Sequence, residues 1–172
     1  MTGFLFLSLL LIAAPEPEAS LPQQPAAAAE RQSNPEALAF IAESNAQADV
    51  DRALADAKKD GKTVLVILGA NWCHDSVGLA GWLDTPRFKD MMRDRYTIVY
   101  VDVGTPQIGK GRNLDIAKRF GIRKVKNTPL LLIVSADGER MNSKKDAIGW
   151  RNAASRSEDE IYRYFATFER PS

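Results

Sequence analysis

The stretch that most restricts the fold is Thr63-Val64-Leu65-Val66-Ile67-Leu68-Gly69, a Val-rich apolar run set off by Gly61 before it and Gly69 at its end. Such a run bounded by glycines reads as a buried strand. The residues after it can start a helix, because Val77, Ala80 and Leu83 recur at i, i+3 and i+6 and would lay an apolar stripe on the sheet. Cys73 then stands at the first turn. Unsatisfied backbone N–H groups and the positive end of the helix dipole favour a thiolate there over a thiol.

Composition places this strand and helix in an ordinary globular domain. The chain has 172 residues, 45% hydrophobic and 26% charged, enough for one core plus a leader or tail. A net charge of +1 predicts neither nucleic acid nor a strongly charged partner. Phe4 to Ala14 is nearly all apolar, about eleven residues, which is shorter than the roughly 20 of a membrane-spanning helix and suits a secretory signal. Residues 1–19 are therefore expected to be a signal peptide, with Ala27-Ala28-Ala29 as a later cleavage site, and the mature protein is expected in the periplasm or otherwise exported, without a stable membrane span. An uncleaved, weakly attached apolar tail is the alternative. The sequence has one cysteine, so no internal disulfide can form and the thiol is either reactive or buried and inert.

Along the chain, residues 20–44 read as a disordered Pro/Ala-rich linker with a short helix over Pro35 to Ser44, and residues 45–172 as the folded domain. Asp49 is the predicted cap of a helix carrying Val50, Ala53, Leu54 and Ala57, stopped by Gly61. Thr85-Pro86 begins another helix, and Thr97 to Val103 forms a second strand, parallel to the first because a helical crossover joins them. Gly104-Thr105-Pro106-Gln107-Ile108-Gly109-Lys110 resembles a phosphate-binding loop but has Gly111 where Ser or Thr would hold magnesium, so a basic surface loop is the better reading. Leu114, Ala117 and Phe120 mark a helix ended by Gly121. Arg123, Lys124 and Lys126 read as a solvated basic turn rather than a binding patch. Thr128-Pro129 opens the strand Leu130 to Val134, and Asp137-Gly138 predicts a hairpin into a weaker strand around Ala147 to Trp150. Ser157 and Glu160 form a capping box before the stripe Ile161, Tyr164, Phe165 and Phe168.

Strand, Trp72-Cys73-His74-Asp75-Ser76, helix, and then Thr128-Pro129 before a later apolar strand about 55 residues on resemble the thioredoxin-like superfamily. The similarity extends to bacterial periplasmic members with Gly-Ala-Asn-Trp-Cys-His-Asp-Ser in place of the usual dithiol motif. The resemblance implies an α/β fold with a mixed sheet of about four strands, helices on both faces and a cis Thr128–Pro129 bond facing the cysteine. The family's resolving cysteine falls on Ser76 and its buried acid on Ile67.

A dithiol cycle needs a second thiol, which Ser76 does not supply. The expected activity is therefore monothiol thiol–disulfide exchange, isomerising disulfides or removing mixed disulfides, with Cys73 as nucleophile and Ser76 either a hydrogen-bond donor to its thiolate or a small helix residue. Trp72, Thr128 and Pro129 are expected to bind substrate. His74 is either a pH-dependent neighbour of the thiolate or a surface residue without a role, Asp75 would oppose thiolate formation if close, and their consecutive positions do not converge on a metal with Cys73. No cofactor is expected. Partners would be cysteine-containing proteins or small disulfides, with a thiol donor for recycling. The alternative is a peptide-binding or folding-assistance module that has lost redox turnover. An iron–sulfur cluster shared through Cys73 in a dimer has no support from spacing.

Overall fold

A computed structural model describes residues 34–168. The predicted signal peptide and most of the predicted linker lie outside the described residues. The order is α1 (Ala46–Asp60), β1 (Thr63–Gly69), α2 (His74–Leu83), α3 (Pro86–Arg95), β2 (Tyr96–Asp102), β3 (Gly104–Thr105), β4 (Lys110–Gly111), α4 (Leu114–Arg119), β5 (Leu130–Val134), α5 (Lys144–Gly149) and α6 (Glu158–Ala166), with 3-10 helices at Pro106–Ile108 and Trp150–Ser155.

The central sheet runs β2-β1-β5, with β1 parallel to β2 and antiparallel to β5. Every residue of β1 is buried, as expected for the middle strand of a sheet covered on both faces. Strand alternation then makes two cores. Val64, Val66 and Leu68 pack with Val50 and Ala57 of α1 and Ile116 of α4. Leu65 and Ile67 pack on the opposite face with Leu79, Phe88, Trp150 and Phe165. Ile67 is fully buried, so the position that carries an acid in the resembling family is apolar here.

Three local expectations are corrected. Helix α1 starts a turn before Asp49, because Asn45 is its cap and accepts from the Ala48 N–H at 3.2 Å; Gly61 ends it in the left-handed region at φ 64°. The predicted helix over Pro35 to Ser44 does not form. That segment is an extended strap packed on the domain, and Phe40, 3% exposed, belongs to the core.

The predicted weak strand over Ala147 to Trp150 is also replaced by helix, with Ser143 capping α5 through the Asp146 N–H. The hairpin at Asp137-Gly138 does turn the chain back, but pairing beyond β5 is limited to a bridge between Val134 and Arg140. Asn142 supplies the rest. Its Oδ1 accepts from the Ile133 N–H at 3.1 Å and its Nδ2 donates to the Leu131 carbonyl at 2.9 Å, so one side-chain amide satisfies backbone groups that a fourth strand would otherwise pair.

Candidate active site at the start of helix α2

Gly69 closes β1, and the chain turns within a few residues into α2 with Cys73 as the extended N-cap residue. The Cys73 carbonyl accepts from the N–H groups of Ser76 and Val77 at 2.9 and 3.0 Å, which fixes the first turn. Its sulfur makes no cap bond to the helix. Instead the thiol donates to the Thr128 carbonyl at 3.5 Å, across a Thr128–Pro129 peptide bond that is cis. At 9% exposure, Cys73 is buried at the margin of the core, less enclosed than the fully buried Leu79 and Leu68.

The other residues singled out in the sequence divide between the thiol and the surrounding scaffold. Trp72 is 53% exposed and its indole N–H donates to the Gly104 carbonyl at 3.1 Å. That anchor belongs to the short β3–β4 hairpin, which forms within the expected surface loop. Gly104 has φ 60°, and a Cβ there would lie 2.6 Å from the Lys110 carbonyl oxygen. The Gly104 N–H donates to Asp102 Oδ1, which also faces Arg112 Nε at 3.3 Å.

Ser76 is fully buried, and its Oγ has no hydrogen-bond partner among the described residues, so of its two expected roles the donation to Cys73 is not made. Its hydroxyl lies against Gly69, where a Cβ would come within 2.7 Å of it. Thr128 Oγ1 is likewise buried without a partner.

His74 and Asp75 are engaged away from the thiol. His74 Nδ1 lies 2.8 Å from Glu36 Oε1, and Asp75 Oδ1 accepts from the Ala154 N–H at 2.8 Å. Both therefore help hold neighbouring chain against α2. Asn71 belongs to the same arrangement: its amide accepts from the Phe40 N–H at 3.1 Å and donates to the Phe40 carbonyl at 2.9 Å. Ala37 N–H donates to the Val77 carbonyl at 3.0 Å. The strap thus lies along the helix that presents the cysteine. Sequence periodicity does not reveal this role, because the extended strap and the short polar motif carry no repeating pattern.

Among the described residues, no group of three His, Cys, Asp or Glu side chains is arranged to hold a metal ion. The arrangement sets one buried sulfur beside a peptide edge, the Thr128 carbonyl, with the half-exposed Trp72 indole next to it in the chain.

The chain belongs to the thioredoxin-like family, whose model matches residues 45–136. It is similar in structure to the disulphide isomerase from Xylella fastidiosa Temecula1, with a TM-score of 0.68 and 29% sequence identity over 76% of this chain and 96% of that one. A second solved structure, the oxidised C-terminal domain of Neisseria meningitidis DsbD, aligns with a TM-score of 0.44 and 18% identity over 76% of this chain and all of that one. Among curated proteins, no sequence matches.

Proposed function

We propose that the protein carries out monothiol thiol–disulfide exchange, isomerising disulfides or removing mixed disulfides, with Cys73 as the nucleophile. The observation that carries this reading is the Cys73 thiol at the start of α2, 3.5 Å from the carbonyl of the cis-proline loop. Similarity to a disulphide isomerase at 29% identity supports it.

In the first step the Cys73 thiolate attacks one sulfur of a partner disulfide. A new S–S bond forms to Cys73, the partner's S–S bond breaks, and the displaced sulfur leaves as a thiolate that takes a proton from water. A second partner thiolate then attacks the mixed disulfide and returns Cys73 as thiolate. When both thiols belong to one substrate, the net reaction is isomerisation without change of oxidation state. When the second thiol is an external donor, that donor takes over the disulfide bond.

Deprotonation of Cys73 removes the hydrogen that the Thr128 carbonyl now accepts, leaving that carbonyl free for an N–H of an extended substrate. Trp72 walls the other side of the site. Ser76 contributes no resolving chemistry. The same reading places the protein in the cell envelope, with residues 1–19 as leader and the domain extending from about residue 34; no helix among the described residues is long and apolar enough to cross a membrane.

The test is Cys73→Ser in two assays: reactivation of a scrambled disulfide protein in a thiol buffer, and trapping of mixed disulfides by mass spectrometry. Both signals are expected to fall to the buffer background. Isomerase activity unchanged in the variant would overturn the proposal. The rival reading, a peptide-binding module without turnover, draws on the limited exposure of Cys73 and predicts that the wild type also shows only background turnover.

A further inference from the structure

The loop that faces Cys73 also forms one side of a groove of about 350 Å³ between itself and the segment running from α5 into the following 3-10 helix. Val125, Leu130 and Ile148 supply its apolar lining. Lys124, Lys126, Lys144 and Arg151 stand around it, all exposed. None of the four has an ion-pair partner among the described residues, and no acidic side chain lines the groove. Elsewhere on the surface Arg87, Arg93, Arg119 and Arg163 are each matched to a carboxylate, while Lys59 and Lys118, like the four, have no ion-pair partner among the described residues but do not line this groove. Since the whole chain carries a net charge of only +1, this concentration of unmatched cations reflects placement rather than composition.

We infer that this groove binds an acidic segment of a substrate polypeptide, with one apolar side chain of that segment seated on Val125, Leu130 and Ile148. The inference rests on the proposed exchange reaction, because the segment would flank the cysteine that Cys73 attacks. Asn127 and Leu130, which line the groove, bracket Thr128–Pro129, and the Thr128 carbonyl is the atom beside the sulfur. Cys73 does not itself line the groove, so a chain seated there reaches the nucleophile by continuing over the Thr128–Pro129 turn.

The geometry favours a polypeptide over a compact anion. The cations come from two separate segments on either side of an apolar lining, and as exposed, flexible side chains they make a broad positive field rather than a closed clamp. The volume lies at the small end of ligand-binding cavities, suited to one or two side chains. Arg123, Lys124 and Lys126 are exposed, as expected of a solvated turn, and this inference goes beyond that because Lys144 and Arg151 join the lysines only in the folded chain.

The test uses fluorescence anisotropy with the full chain and three labelled, cysteine-free peptides built around one leucine: acidic, isosteric Asn/Gln-neutral, and basic. The acidic peptide is expected to bind about tenfold more tightly than the neutral one at low salt, with the preference shrinking as salt rises. In a Lys126→Glu/Lys144→Glu variant, shown to be folded by circular dichroism, acidic-peptide binding is expected to weaken about tenfold and the basic peptide to be preferred. Equal binding of acidic and neutral peptides, or a preference unmoved by the reversal, would overturn the inference. Displacement of the bound acidic peptide by glutathione disulfide would assign the groove to a small anion and overturn it as well. Cys73 alkylation, followed in parallel, separates the two proposals: a reactive thiol without charge preference sinks only the groove, and charge preference beside an inert thiol sinks only the exchange reaction.

Discussion

Asn142 carries more of the fold than its place in a polar stretch suggests. It is 3% exposed, serves both Ile133 N–H and Leu131 C=O, and donates also to the Tyr164 hydroxyl at 3.1 Å. Asn142→Ala would leave a buried strand donor and acceptor unpaired, each at about 1–3 kcal/mol, so a loss near 3 kcal/mol is expected in urea unfolding. A loss under about 0.5 kcal/mol would show that water or a shifted backbone takes over both groups. Nothing in Glu139 to Asp146 announces this role, since a side chain replacing a strand has no periodicity. Cys73 and Thr128-Pro129 were legible because each is a local signal beside an apolar strand. Their 3.5 Å approach is the meeting that the family resemblance implied. The partners of His74 and Asp75, Glu36 and Ala154, lie far away in the chain, and no local pattern points to them.

At the scale of elements, α2 depends on what lies across it. A Cβ on Gly81 would stand 2.1 Å from the Pro35 carbonyl oxygen, a backbone atom that cannot swing aside. In an open helix Gly→Ala adds about 1 kcal/mol of stability; here Gly81→Ala is expected to destabilise the protein and to loosen the strap. Limited proteolysis should then cut between residues 34 and 45 faster than in the wild type, and an unchanged cleavage rate would refute the close fit. The helices with caps and stripes, such as α6 with its Ser157–Glu160 capping box, were readable from sequence. The strap was not. Its one large core residue, Phe40, meets Tyr100 edge-on at 5.4 Å, and a single anchor in a Pro-rich stretch resembles linker composition.

Across the whole molecule, the core on the α2 side of the sheet sets how stability responds to alkali. Burial pushes the Tyr100 phenol up to about 12 and raises Tyr96 well beyond the ordinary phenol value; Tyr96 also donates to the Phe165 carbonyl at 2.7 Å. Both folded values lie above the unfolded value of about 10. This contribution is therefore fully present below pH 10 and is lost as pH rises through the folded values. Urea midpoints should hold up to about pH 10 and fall above it, with a shallower fall in Tyr100→Phe; identical slopes in the two proteins would exclude Tyr100 as a source. The mixed sheet between two helical layers was legible from the buried run of β1 and the crossover to β2, which are set by burial and chirality. The outer boundary of that sheet was not. Because a side-chain amide and a short turn occupy the far side of β5, a foreign strand finds its main-chain positions already taken there, and any growth of the sheet by a neighbouring molecule is confined to the β2 side.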